Sequence, residues 1–377
     1  MDAGGYDERF KKWRYDDLPI LPESFRYVLA PGKEDAFENL RALMDRPDVD
    51  TIVNACDAGR EGELIFRLVY EMTGCRKPVL RLWISSMEDS AIREGFSDLR
   101  PGADYEALYQ SALCRQKADW LVGINATRLF SVLYHRTLNV GRVQTPTLAM
   151  LAERDAKITL FHKEKYHLLR LTLNGAEAVS EKFTDPAEAE QAAVMCKGAA
   201  VTCTSVTKEQ KKEQPPKLYD LTTLQREANR LFGYTAKQTL DYAQTLYEKK
   251  LLTYPRTDSR YLTSDMAETA SCVIHLAAKL PPFDGCGNFF PLVEGMISDK
   301  DVSDHHAIIP TMEIEKADIK TLPLGERNLF LLVCCKLLCA SAEPYVYEAV
   351  TATFDCGGQS FTAKGKRILS EGWREID

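Results

Sequence analysis

The chain has 377 residues, with 48 lysines and arginines against 55 aspartates and glutamates and a formal net charge of −7. That length suggests about two to four domains, and the composition is that of an ordered globular protein rather than a disordered one. An acidic total argues against a protein that binds nucleic acid over its whole surface, although a groove needs only a local excess of Lys and Arg. The eleven cysteines show no CxxC pair, so zinc is not expected. Their odd number and lack of a framework suit a reducing cytoplasm. The N-terminus has no apolar signal core. The longest apolar run, Leu329 to Cys335, is far too short to span a bilayer, so no membrane association is expected.

The first third reads as α/β. A short apolar run, Thr51–Ala55, predicts a strand; an acidic loop follows, then a helix over Leu64–Met72. A second strand, Val79–Ile84, precedes a helix over Glu88–Leu99. Alternation of this kind predicts a parallel sheet with sites at the strands' C-terminal ends. Residues 103–157 read as mostly helical, broken at Gly141–Arg142, with Pro146 in the first turn of a new helix. Tyr166–Leu173 and Ala200–Val206 read as strands. The charged run Lys208–Lys217, with Pro215 and Pro216, reads as a linker.

Helical spacing returns at Leu224–Leu231 and Lys237–Tyr247, with Thr222 and Thr235 as caps. Further helices are expected at Ser264–Lys279 and, buried, at Arg327–Ala342. Val346–Phe354 and Gln359–Ala363 return to β. Strands, a long helical stretch, then strands predict an insertion into a β domain.

The most informative segment is LLTYPRTDSRYL, Leu251 to Leu262. In an extended chain, residues i and i+2 share a face, so Tyr254 and Arg256 can approach one phosphate. A phenol, with a pKa of about 10, is a poor nucleophile at neutral pH. A guanidinium can hold the phosphate and stabilise the charge that develops on it. Attack by Tyr254 would give a phosphotyrosine ester close in energy to the bond it replaces, so rejoining needs no ATP. No GxxxxGK[ST] loop is present, in keeping with that.

Four further segments carry chemistry. CDAGREGE, Cys56 to Glu63, follows a predicted strand. Its carboxylates suit Mg²⁺, and they equally suit the dipole at a helix N-terminus. NVGRVQTPTLAMLAERD, Asn139 to Asp155, offers Arg142 and Gln144, with Thr145 at a helix start that attracts anions. It also reads as a plain helix cap with a surface arginine. DHHAIIPT, Asp304 to Thr311, places a histidine pair in a loop before a proline. Upstream, CRQKADWLVGINATRLFS presents Arg115, Asp119, Asn125 and Arg128, with Trp120 as a core residue.

These segments, in this order, resemble those of the type IA DNA topoisomerases, nearest the topoisomerase III branch. Tyr-x-Arg-Thr-Asp-Ser resembles the family's nucleophile signature, CDAGREGE its Toprim Asp-x-Asp-x-Glu motif, GRVQTP its DNA-binding segment and HHAIIPT its His-x-Ala-Ile-x-Pro-Thr motif. The resemblance implies a multidomain α/β plus α+β core. A partial Toprim domain would cover residues 1–102 and a helical single-stranded-DNA-binding domain 103–165. An incomplete β arch would cover 166–217 and 346–377, with a helical tyrosine-bearing domain, 218–345, inserted in it.

The resemblance also assigns roles. Tyr254 would be the nucleophile, with Arg256, His305 and Glu61 catalytic beside it. Arg142, Gln144, Thr145, Arg115, Arg128, Thr257, Asp258 and Arg260 would contact DNA, and Asp57 and Glu61 would bind Mg²⁺. The motif's second acidic place is Gly59, where Glu63 is a partial substitute. The implied activity is ATP-independent cleavage and rejoining of one DNA strand through a 5′-phosphotyrosine. The substrate would be single-stranded DNA, or DNA with single-stranded regions, at the nucleoid if the host is bacterial. The family's first Toprim strand, which carries a Glu and a Lys, has no counterpart here, so the chain reads as a fragment with impaired turnover. The alternative is a truncated paralogue that binds single strands without cutting them.

Overall fold

The computed structural model describes residues 3–84, 89–284 and 291–377. The chain divides into two compact units, Met1–His162 and Lys163–Asp377.

In the first unit, α1 (Glu34–Asp45) is a helix that the apolar spacing had not suggested; it buries no residue fully. Next come β1 (Ile52–Asn54), α2 (Arg60–Thr73) and β2 (Val79–Arg81). β1 and β2 pair in parallel, as the alternation predicts. α3 (Asp89–Ser97) covers the expected helix, of which Glu88 lies outside the described residues. A two-residue strand, β3 (Arg100–Pro101), closes the sheet antiparallel to β2. α2 begins earlier than its apolar residues suggest, because extended Gly59 caps it and the polar residues Arg60 and Glu61 form its first turn. It buries Leu64 against Tyr109, Ala112 and Leu113 of the long helix α4 (Glu106–Leu133). A full burial of this kind contributes roughly 1.5–3 kcal/mol per large aliphatic side chain.

After α4 the chain is held close by two hydroxyls one turn apart. Thr127 Oγ1 exchanges hydrogen bonds with the backbone of Val140, and Ser131 Oγ accepts from the Leu138 N–H. α5 (Gln144–Thr159) then starts, with Pro146 in its first turn. Trp120 packs with Ile20 and Tyr6, in the core position expected.

The second unit is a five-stranded antiparallel sheet interrupted by a helical module. Its strands are β4 (Arg170–Leu173), β5 (Ala176–Ser180), β6 (Val201–Glu213), β7 (Tyr345–Cys356) and β8 (Gln359–Ser370), in the order β4-β5-β8-β7-β6. α6 (Pro186–Cys196), capped by Asp185, crosses between β5 and β6 and was not anticipated. Between β6 and β7 lie α7 (Leu221–Phe232), α8 (Ala236–Glu248), α9 (Ala267–Ala277) and α10 (Leu324–Ala340). These helices share one large core. α10 supplies Leu329, Phe330, Val333, Leu337 and Leu338 to it, matching the buried helix expected there.

Two expectations are corrected. Lys208–Glu213 is not linker but the second half of β6, paired residue by residue with β7 up to Glu213 opposite Tyr345. β6 is an edge strand, and its exposed Lys and Glu discourage a further strand from adding; such a run looks like a loop in sequence. The cap of α7 is Asp220, not Thr222. The Asp220 carboxylate accepts from the Thr223 N–H at 2.6 Å, one of the donors a helix start leaves open. Thr235 does cap α8, in a reciprocal capping box with Gln238.

The turn Gly372–Glu375 folds over the place where the module joins the sheet. The Trp373 indole N–H donates to Glu213 O, and the Arg374 guanidinium pairs with the Glu213 carboxylate at 2.5 Å.

Candidate active site

In the second unit, the tyrosine segment lies beside the His-x-Ala-Ile segment. Short β-bridges join Tyr219 to Ile308 and Leu252 to Pro310. Thr253 fixes the register: its hydroxyl donates to Ala307 O and accepts from the Ile309 N–H. The Thr257 hydroxyl, buried, donates to His305 O at 2.8 Å and also accepts from the Ser259 N–H.

These bonds set Tyr254 against His305, with ring centroids 4.4 Å apart and planes tilted by 44°. Tyr247 of α8 also meets Tyr254, edge-on at 5.4 Å. The phenol is therefore oriented by two rings from separate elements. The two histidines face opposite ways, as period-two backbone dictates. His305 faces Tyr254, whereas His306 is buried, its Nδ1 2.8 Å from Ala307 O. Burial pushes the His306 pKa below the ordinary histidine value, so it stays neutral.

Arg256 and Asp258 are exposed on the same loop. Arg260 turns back, its Nε donating to Leu218 O at 3.1 Å. Of the residues assigned to DNA contact on this loop, Thr257 thus has its hydroxyl committed to the backbone, while Asp258 faces solvent, as does Arg256, assigned to catalysis.

In the first unit, the acidic loop is built on a residue the sequence reading missed. Arg81, fully buried at the end of β2, donates to the carbonyls of Asn54, Cys56 and Leu82 at 3.0, 2.6 and 2.8 Å, and also to Asp57 O. Its Nε lies 3.1 Å from Glu63 Oε2. Burial lowers the guanidinium pKa, opposed by Glu63. An arginine inside an otherwise apolar strand was the available signal.

Glu63 is 1 % exposed and is held by Arg67, Arg81 and Asn54. It cannot stand in for the acid missing at Gly59, because its oxygens are spent inside the fold. Gly62 matters for a steric reason: a Cβ there would lie 2.2 Å from Asp57 O. Only a glycine lets α2 approach the acidic loop so closely.

Asp57 and Glu61 remain exposed at the start of α2. Glu61 heads a chain of ion pairs: Arg115 reaches it at 3.0 Å and also approaches Asp119, and Arg142 meets Asp119 at 2.7 Å. Three segments distant in sequence thus form one charged surface. Gln144 is exposed as the first residue of α5, while the Thr145 hydroxyl accepts from the Gly141 N–H. Asn125 serves structure, exchanging two hydrogen bonds with the backbone of Ile20. Arg128 is buried with its guanidinium 5.6 Å over the Trp13 ring.

A further cluster has metal-ligand proximity: Cys335 and Cys339, one turn apart on α10, with Asp377. The Cys335 hydrogen bond and burial hold the Cys339 thiol protonated, which makes it a weak ligand.

Comparison with known proteins places this geometry in a family. A family model described as DNA topoisomerase matches residues 103–377. DNA topoisomerase 3 of Bacillus subtilis (strain 168) is 40% identical over 391 residues, covering 100% of this chain and 53% of that protein. DNA topoisomerase 3 of Bacillus thuringiensis (strain Al Hakam) is likewise 40% identical, over 398 residues and with the same coverage. The chain belongs to the type IA DNA topoisomerases. Within them it is topoisomerase III-like. The fold agrees with that of full-length topoisomerase I from Thermotoga maritima, with a TM-score of 0.70 at 24% identity over 93% of this chain and 58% of that one. The chain spans about half the length of the curated topoisomerases it matches. None of these comparisons favours the reading as a non-catalytic binder. Among the described residues, no helix is long and apolar enough to cross a membrane.

Proposed function

We propose that the protein carrying this chain cleaves and rejoins one DNA strand without ATP, with Tyr254 as nucleophile. The observation that carries this is the Tyr254–His305 contact, inside two segments locked in register by Thr253 and Thr257. Tyr254 Oη attacks phosphorus, the bond from phosphorus to O3′ breaks, and the 5′ phosphate stays on the tyrosine. The phenolic proton ends on the released 3′-hydroxyl, and rejoining is the reverse. Arg256 and His305 stabilise the negative charge on the phosphoryl oxygens. Glu61 stands at the acidic loop as the further catalytic carboxylate.

Single-stranded DNA is held by Arg115, Arg142 and Gln144, with Thr145, Arg128, Thr257, Asp258 and Arg260 supporting the two binding segments. The ion-pair chain through Asp119 keeps Arg115 and Arg142 oriented until phosphates take Asp119's place. Asp57 and Glu61, two exposed carboxylates, suit Mg²⁺, which takes one or two carboxylates and keeps its waters. When bound, Mg²⁺ supplies positive charge for positioning the phosphate backbone.

The test is a covalent adduct. The full-length protein is mixed with a labelled single-stranded oligonucleotide and stopped with denaturant. A labelled protein band is expected, and Tyr254→Phe should abolish it. Free cleaved ends with no protein attached, or an adduct that survives Tyr254→Phe, would overturn the assignment.

A further inference from the structure

The tyrosine-bearing module holds a second charged feature, which shares only Arg260 with the residues already assigned to DNA. A cavity of about 330 Å³ opens beside α7, lined by Lys217, Arg226, Arg230, Arg260, Lys336 and Glu227. The set has four positive charges in excess, on a chain whose total is −7. Glu227 is shared by Arg230 at 3.3 Å and Lys336 at 3.0 Å. Among the described residues, Lys217, Arg226 and Arg260 take no carboxylate partner.

A second observation concerns the acid of the cavity. Tyr219 lines the same cavity, is 1 % exposed, and its hydroxyl lies against the Glu227 carboxylate, so the one acid of the cavity is shared by Tyr219, Arg230 and Lys336. Five cationic side chains around a single, already shared carboxylate make an oxyanion receptor: the guanidinium groups bind in a fork, and the ammonium groups supply charge.

The cavity is also wired to the catalytic segments. Arg260 belongs to the tyrosine loop and bonds Leu218 O, and Tyr219 O accepts from the Ile308 N–H beside the histidine segment.

We propose that this cavity is a phosphate-binding site for the backbone of a DNA strand, separate from the phosphate that Tyr254 attacks. The assignment rests on the DNA-cleaving reading for its ligand, but not for its geometry. Such a site anchors the module to a strand away from the break.

The test uses Arg226→Gln/Arg230→Gln, two exposed positions one turn apart on α7 that touch none of the groups assigned to cleavage. Affinity of the full-length protein for a single-stranded oligonucleotide is measured across a salt series. Losing one phosphate contact should lower the log–log salt slope by about 0.7. Binding at low salt should weaken roughly fivefold, with the Tyr254 adduct still formed. In a parallel arm, inorganic phosphate alone should broaden its ³¹P resonance with the parent and not with the variant.

An unchanged slope overturns the proposal. An unchanged slope together with phosphate broadening would identify a site for free phosphate, and so would also overturn the backbone assignment. Loss of the adduct in the parent itself, with the slope still responding to the variant, would sink the cleavage reading and leave this site standing.

Discussion

Replacing Gly62 with alanine sets two effects of opposite sign against each other. Gly62 lies in the first turn of α2, where alanine is ordinarily the better helix former by up to about 1 kcal/mol. The added Cβ, however, would meet Asp57 O at 2.2 Å, Asp57 N at 2.9 Å and Asp57 C at 3.0 Å. An ordinary carbon–oxygen contact is roughly 3.3 Å or more, so the acidic loop must retreat by about 1 Å. It cannot do so alone, because Arg81 pins the carbonyls of Asn54, Cys56 and Asp57. Overpacking against fixed backbone typically costs about 1–3 kcal/mol, and one stretched charge-assisted bond from Arg81 adds to it. The net expectation is destabilisation of the first unit by about 1–2 kcal/mol. With a urea dependence of about 1–3 kcal/mol per molar, the midpoint should fall by roughly 0.5–1 M. Three of the four tryptophans, Trp13, Trp83 and Trp120, report on that unit. The same variant should weaken Mg²⁺ binding measured by calorimetry. A Gly62→Ala protein more stable than its parent would show that helix propensity wins and that the close approach does not shape the loop.

The other expected outcomes concern single side chains. Gly59→Asp puts an acid back in the motif's second place; the backbone there, at φ −165° and ψ 174°, is extended and open to any residue, and the position is the cap of α2. Mg²⁺ affinity should rise several-fold by calorimetry, with stability gaining a few tenths of a kcal/mol; unaltered affinity would dissociate this loop from metal binding. Thr257→Val removes the hydrogen bond to His305 O and should cost about 1 kcal/mol while slowing adduct formation; adduct formation at the parental rate would show that Tyr254 does not need His305 held. His306 has a folded pKa below its ordinary value of 6.5. The unfolded chain therefore takes up the proton first, and this contribution to stability is constant above about 6.5 and lost as pH falls from there toward the folded pKa. His306→Phe should flatten the acid side of the stability profile, and an equally steep loss would place its origin elsewhere.

The four motif segments were legible because each is local: the residue types and spacing lie within a dozen positions of one another. The expected sheet, the inserted helical module and the buried α10 followed from periodicity alone. What was hidden depends on partners distant in the chain. Arg81 looks like a stray charge in a strand until the carbonyls of the acidic loop surround it. Glu63 looks like a spare ligand until Arg67 and Arg81 close on it. The functions of the two adjacent histidines separate only when the bridges beside Tyr254 fix which one faces the phenol. The charged half of β6 was misread because an edge strand protects itself with the same residues that make a loop soluble.

The joint between module and sheet has a mechanical consequence. The chain leaves β6 at Glu213 and returns to β7 at Tyr345, opposite ends of a single rung of one ladder. A load applied at Tyr254 reaches the sheet through two adjacent peptides pulling in the same direction. It acts on that last rung as a peeling force, which breaks bonds one at a time, rather than as shear, which must break all of them together. Each rung resists with only about 1 kcal/mol, so the outermost one decides how much tension the tether carries. The Trp373 indole and the Arg374 guanidinium both close on Glu213, at that rung. They act as a rivet at the tip of a zipper, and the pull a bound strand can exert before the sheet begins to open is set there.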